Sequence, residues 1–517
     1  MDIIGGFLTL LDEPSIFAFI VVAVLIGVIV GALPGISAAT VIALLVPITL
    51  YMDPLAALAF LYVLGKAGRF GGSIAAILFN TPGTVASSAT MIEGYRLTKQ
   101  GRSKSALRMS AFASVCGDLT GDLLLIFGAV AIASYTEGLG PPEFFAIYFM
   151  AFIVIGSVVG QSVSKGLVSA ALGVLCSLIG TDPISGTARL TFDSLQLSRG
   201  LGLIPVLVGI FVLSELFTQA WKATRSGEPA DVRDSSASES VQDVITADEW
   251  RYCAPVIFRS SVIGAVIGML PGLGSAVACF AAYGEEKRRA KRPQLWGHGA
   301  IEGVAAPEAA NNAVSGPSMI PLLALGIPGS TIAALLMGVF LIHGIQVGPT
   351  IFTTSRELVF ALFASGIIGI ICYGLVGYYL VPFFGNYVAR FRTKYIYPFI
   401  FVTAFIAAYS SAMNFFDVYV MTVFGIVGFL MSRFSYSTSA FVIAFVIGRG
   451  AEETLRQSVL LSDSGLFIFL ERPVAIIFLL IGLTVLLWRG RYHMKKQDRK
   501  ATVRDSIGTG SRPGSEE

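Results

Sequence analysis

Three groups of residues in this chain could do chemistry, and each lies in an apolar setting. In LGKAGRFGGS, Lys66 and Arg69 stand three apart; in SVCGDLTGDLLL, Asp118 and Asp122 stand four apart. Either spacing can put a pair on one face of a helix. Charges in apolar surroundings are costly unless paired, so these four residues are expected to neutralise one another across two helices. The competing reading leaves Lys66 and Arg69 as cations that hold an anionic ligand. The third group is PEAANNA, where Glu308, Asn311 and Asn312 set a carboxylate and two amides within one helical turn. Such oxygens suit Na⁺, the carboxyl could instead exchange a proton, and the plainer role is hydrogen bonding to a broken helix end.

Backbone chemistry supplies a further candidate site at four Pro-Gly breaks. They hold Pro34, Gly35 and Ser37; Asn80, Thr81, Pro82, Gly83 and Thr84; Pro271, Gly272, Gly274 and Ser275; and Pro328, Gly329, Ser330 and Thr331. Proline favours the first turn of a new helix, glycine leaves backbone N–H groups accessible, and the hydroxyl adds a neutral donor. The positive N-terminal ends of such half-helices attract anions. One break alone is equally a kink or a close helix contact; four breaks related by a repeat point to a binding site for an anionic substrate.

The elements that must position these residues are membrane helices. Of 517 residues, 55% are hydrophobic and 13% charged, with mean hydropathy +0.76, whereas a soluble domain carries roughly a quarter charged residues. Apolar runs long enough to cross a bilayer cover Ser15 to Leu33, Leu107 to Tyr135, Glu143 to Gly160, Leu201 to Trp221, Leu358 to Val381 and Pro473 to Trp488. Others are interrupted by Gly or Pro. An all-α polytopic membrane protein of roughly 10–12 spans, some broken or re-entrant, is expected. The first span has no Lys or Arg ahead of it and reads as retained rather than cleaved.

The five cysteines stand singly in apolar stretches and read as small buried residues, with no disulfide or metal site. His298, His343 and His493 lack metal-ligand spacing. His343 falls at the repeat equivalent of Glu93 and reads as a loop residue. The net charge of +3 is concentrated in loops, and no nucleic-acid partner is expected.

Two apolar halves, 1–221 and 251–488, flank a polar linker at 222–250, and 489–517 reads as a disordered basic tail. GVIVGALPGIS at Gly27 to Ser37 is answered by GAVIGMLPGLG at Gly264 to Gly274, and NTPGT by GIPGS. Charge differs between equivalent loops. Arg96, Lys99, Arg102, Lys104 and Arg108 follow NTPGT, while Arg356 alone stands in the stretch after GIPGS; EEKRRAKR lies between the breaks of the second half, where the first has YMDP. By the positive-inside rule, equivalent loops fall on opposite sides, so the halves are expected to be inverted repeats with the tail in the cytoplasm.

The run GVAAPEAANNAVSGPSMIPLLALGIPGS, with GALPGIS, GGSIAAILFNTPGT, GTDPISGTARLTF and RGAEETLRQSVLLSDSGLFIFLERP, resembles the large membrane subunit of the tripartite tricarboxylate transporter (TctA) family from about Gly5 to Gly482. The resemblance implies secondary uptake of tricarboxylates or related carboxylates in the bacterial inner membrane. It implies no cofactor, Na⁺ or H⁺ as coupling ion, and two partners: a small membrane subunit and a periplasmic solute-binding protein. Lys66, Arg69, Asp118 and Asp122 depart from the small, aromatic, Gly or apolar residues expected of the family there. Pairing would retire Lys66 and Arg69 from substrate binding; otherwise they suggest an unusual substrate. An intramembrane enzyme is disfavoured because HExxH and GxSxG are missing, and a self-contained ATP-driven importer because GxxxxGK[ST] is missing. A permease subunit served by a separate ATPase stays open.

Overall fold

The computed structural model describes residues 2–487 except 34, 137, 159–161, 183, 227–242 and 390–395, together with residue 489. Expectations for Pro34, for most of the linker and for the tail beyond 489, His493 included, fall outside the described residues. Helices dominate. In the first half they are α1 (Asp2–Asp12), α2 (Pro14–Ala32), α3 (Ala38–Thr49), α4 (Pro54–Phe79), α5 (Ser87–Lys99), α6 (Ser103–Thr136), α7 (Pro141–Val158) and α8 (Val163–Ser177). A helical stretch, α9, then runs from Leu203 through a π-helical turn to Ser226. In the second half, α10 (Ala247–Gly268), α11 (Gly274–Arg289), α12 (Glu302–Ala313), α13 (Ile320–Leu325) and α14 (Thr331–Ile342) precede α15 (Arg356–Leu375). They are followed by α16 (Ile396–Ala412), α17 (Phe415–Arg433) and α18 (Thr438–Leu460), and by α19 (Pro473–Leu487).

Local chemistry sets many of the starts. Pro14 and Pro54 occupy first-turn positions, where the missing N–H costs nothing. Asp53 accepts from Leu55 N at 2.9 Å, and Thr246 with Glu249 forms a reciprocal capping box on α10. A short hairpin not expected from the residues pairs Gly180–Thr181 antiparallel with Ala188–Arg189. Asp182 beside it binds Arg456 of α18 at 2.6 Å, and Arg189 binds Glu452.

Among the described residues, five helices are long and apolar enough to cross a bilayer, six if the bent pair Gly465–Glu471 and Pro473–Leu487 counts as one span. This is fewer than the 10–12 spans expected: six further apolar helices are shorter than a bilayer crossing, and Pro54–Phe79, Ala247–Gly268 and Thr438–Leu460 are long enough but too polar to count by composition. Phe415–Arg433 qualifies although no uninterrupted run marked it, while the run from Glu143 maps onto a shorter helix, Pro141–Ser157.

The centre is α4. Every residue from Leu55 to Leu78 is buried except Arg69, as befits a helix enclosed on all sides. Small residues let its neighbours approach closely. Gly31 of α2 meets the Gly68 carbonyl, and a β-carbon on Gly71 would lie 2.6 Å from Val28 O. The second half repeats this contact: Gly264 meets the Ala310 carbonyl, and a β-carbon on Gly268 would lie 2.9 Å from Val314 Cα. The GxxxG in each copy of the repeat is thus a contact strip of the first long helix of a half, against unbroken α4 in the first half and against α12 and the residue that follows it in the second.

Candidate functional site

The four breaks share a backbone design. Gly35 and Gly272, at equivalent positions, both have φ +85°, and α4 and α13 both end in a left-handed residue, Asn80 at φ 56° and Gly326 at φ 71°. These turns reverse the chain where a β-carbon would be strained, and Asn is the residue besides Gly that best tolerates the conformation. Each next helix then begins beside a hydroxyl. Ser37 accepts from Thr40 N at 3.1 Å and Ser330 from Ala333 N at 3.1 Å, while Thr84 N donates to Ser87 Oγ at 3.0 Å. Two breaks of the second half touch directly, Gly272 N donating to Gly329 O at 3.2 Å. Ser318 and Ser330 hydroxyls lie 3.3 Å apart, and Thr331 Oγ1 donates to Ser439 Oγ. Thr81 Oγ1 is buried without a hydrogen-bond partner. Gly274 follows at φ 69° and opens α11, with Ser275 in its first turn.

One stripe of α4 receives three of these helix starts. A β-carbon on Gly65 would lie 3.2 Å from Ile332 of α14, one on Gly68 2.7 Å from Ala38 of α3, and one on Gly72 3.2 Å from Thr84. Positions 65, 68, 69 and 72 recur at helical spacing, so Arg69 belongs to the same stripe. Arg69 is partly exposed, its Nε is buried without a partner, and it forms no ion pair among the described residues.

The neighbouring face of α4 is polar in a different way. Lys66 is fully buried, and its Nζ lies 2.6 Å from Asp118 Oδ1 and 2.7 Å from Asp122 Oδ1, both on α6. The structure therefore brings three of the four predicted charges together and leaves Arg69 out. Two tyrosines that the sequence reading missed complete the cluster. Tyr62 OH donates to Asp122 Oδ1 at 3.0 Å, and Tyr373 OH of α15 lies 3.1 Å from Asp118 Oδ2. Aromatic residues in apolar runs carry no signal that distinguishes such a role from ordinary core packing.

Glu308 is fully buried on α12, with Oε1 accepting from Thr90 of α5 and Oε2 from Ser114 of α6 at 3.2 Å. Asn312 donates to Ser114 Oγ at 2.8 Å and leaves its own Oδ1 buried without a partner. Asn311 turns elsewhere, donating to Arg69 O at 3.4 Å. Glu308 and Asn312 thus share a site that Asn311 does not enter. Since Tyr373 OH also lies 3.1 Å from Ser114 O, residues 114, 118 and 122 form one polar ladder along α6.

Glu93 was noticed in the sequence only as the counterpart of His343. It is fully buried and accepts from Gly299 N at 2.8 Å, Ala300 N at 3.0 Å and Tyr283 OH at 2.7 Å, and also from Gly297 N. That nest fastens α5 to the loop between α11 and α12. His298 lends its carbonyl to Gln100 in the same loop.

The model of the tripartite tricarboxylate transporter TctA family matches residues 17–443. An uncharacterized 52.8 kDa protein in the TAR-I ttuC' 3' region of Agrobacterium vitis is 35% identical over 489 residues, which cover 93% of this chain and 95% of that one. An uncharacterized protein in the TAR-II ttuC' 3' region of Agrobacterium vitis is 39% identical over 222 residues, covering 43% of this chain and 90% of its own. No solved structure matches.

Proposed function

Because the chain belongs to the tripartite tricarboxylate transporter TctA family, we propose that it is the large membrane subunit of a secondary transporter that imports tricarboxylates or related carboxylates on a cation gradient. It works in the bacterial inner membrane with a small membrane subunit and a periplasmic solute-binding protein. Residues 1–221 and 251–488 act as inverted halves, and the C-terminal tail is cytoplasmic. Na⁺ or H⁺ drives uptake, with Glu308 and Asn312 as one candidate position for the ion.

The observation that carries this reading is the placement of Arg69. It is a guanidinium without an ion-pair partner among the described residues, on the stripe of α4 that faces three helix starts. A guanidinium and helix N-termini are the groups that recognise a carboxylate, the first bidentately and the second through free N–H donors. Lys66 is held by two aspartates, which leaves Arg69 as the cation for the substrate. Binding at this point and movement of the broken elements relative to a scaffold carry the substrate across.

The test is uptake into right-side-out vesicles containing this chain and its small subunit. A labelled carboxylate panel is supplied with or without the binding protein, ATP, and imposed Na⁺ or pH gradients. Binding-protein-dependent uptake that follows an ion gradient and ignores ATP is expected. A requirement for ATP, or failure of every carboxylate with a verified complex, would overturn the proposal.

A further inference from the structure

We propose that Lys66, Asp118 and Asp122 form a proton-binding site that couples transport to the pH gradient, with Asp122 Oδ2 the atom that takes the proton. The coupling role rests on the function proposed above; the proton binding does not.

Donor bookkeeping identifies the atom. Lys66 Nζ gives hydrogen bonds to Asp118 Oδ1 and Asp122 Oδ1 and faces the Tyr62 ring 4.7 Å from its centroid. Tyr62 donates to Asp122 Oδ1, and Tyr373 reaches Asp118 Oδ2. The Lys66, Tyr62 and Tyr373 donors are thus committed elsewhere, and among the described residues Asp122 Oδ2 has no partner, although the residue is only 2% exposed. The other groups in the balance are few. Arg69 lies one turn further along α4, and Glu308 of α12 reaches α6 one turn beyond Asp118, through Ser114. Gly316 and the Pro317–Met319 turn, which pack beside Asp122, bring no titratable group.

With both carboxylates ionised, one contacting ammonium faces two negative charges, and one oxygen, Asp122 Oδ2, is buried without a hydrogen bond, a costly state. A proton removes it: one O–H bond forms on Asp122 Oδ2, the carboxylate becomes a neutral acid, and release to water reverses the step. A metal ion fits poorly, because the ammonium already stands between the carboxylates. Nor does any group of three or more His, Cys, Asp or Glu suited to a metal occur among the described residues. Gly366 of α15 keeps the oxygen free of side-chain pressure, since a β-carbon there would lie 2.9 Å from Oδ2.

The site is also placed to sense substrate. Arg69 is the nearby cation that offsets the surplus negative charge, and an anion bound to Arg69 cancels that help. Substrate binding then favours protonation, and by linkage protonation favours substrate binding.

The test is infrared titration of the purified full-length chain with its small subunit in nanodiscs, reading the C=O band of protonated carboxyl groups. A band that titrates in the wild type, is lost in Asp122→Asn and survives in the exposed control Asp463→Asn is expected. Tyr62→Phe, a milder change, deprives the carboxylate of a donor and moves the midpoint to higher pH, which keeps the test decisive should Asp122→Asn not fold. In vesicles, pH-driven accumulation by Asp122→Asn falls about tenfold or more. An unchanged band in Asp122→Asn, an unmoved midpoint in Tyr62→Phe, or Na⁺ displacing the proton from this site overturns the inference. Loss of all transport in the wild type with the titration intact defeats the transport reading alone.

Discussion

Replacing Lys66 by methionine keeps most of the side-chain volume and removes the ammonium from between two carboxylates. At an effective dielectric constant of about 20, each contact near 2.7 Å is worth roughly 6 kcal/mol in Coulomb energy. Desolvation of the lysine offsets much of this, and deleting one partner of a buried pair typically costs about 3–5 kcal/mol. Lys66→Met is therefore expected to lose about that much stability and to express poorly. The stoichiometry makes a sharper prediction than the loss itself. Asp118→Asn on the Lys66→Met background removes one of the two stranded carboxylates and should recover roughly half of the deficit. Adding Asp122→Asn neutralises the cluster and should recover most of the rest, since amide oxygens can still accept from Tyr62 and Tyr373. The assay is unfolding of the purified chain in nanodiscs by steric trapping, with expression level as an independent readout. A cost for Lys66→Met of about 1 kcal/mol or less, the value of an exposed pair, would refute the reasoning. So would failure of both aspartate replacements to restore stability.

The parts of this architecture that were legible in the sequence are those that act locally. Pro-Gly breaks force a turn wherever they occur, and equivalent Gly35 and Gly272 take the same φ of +85°. The GxxxG strips were legible as motifs, although which helix they meet depends on the tertiary crossing. Span number was less legible, because six apolar helices are shorter than a bilayer crossing and three long ones are too polar to count by composition. The charges show where local reading stops. Types and spacing suggested that Lys66, Arg69, Asp118 and Asp122 neutralise one another, but only helix rotation decides that Lys66 faces α6 while Arg69 turns toward the glycine stripe. Tyr62, Tyr373, Thr90 and Ser114 gave no signal, because a single hydroxyl in an apolar run reads as core until its partner on another helix is known. Glu93 was similarly silent, its partners being mostly backbone N–H groups some 200 positions away.

Three further perturbations separate packing from recognition. Gly31→Ala drives a methyl into the Gly68 carbonyl and should destabilise the chain by about 1–3 kcal/mol; unfolding indistinguishable from wild type would mean that α2 and α4 are not held this closely. Glu93→Gln removes the charge from the nest of backbone donors at 297–300. Amide exchange in that loop should rise while the core helices stay protected, and unchanged exchange would discount the latch. Arg69→Gln tests recognition itself. Because Arg69 has no ion pair among the described residues, its loss breaks no direct carboxylate contact and removes only a longer-range offset to the Asp118 and Asp122 charges, and the melting temperature should nearly hold. Loss of a bidentate charged contact to the substrate should weaken uptake about 10–100-fold, and Arg69→Lys should restore only part of it, since an ammonium keeps the charge but not the planar fork. Stability falling together with uptake would instead make Arg69 a structural residue, and the carboxylate would need another cation.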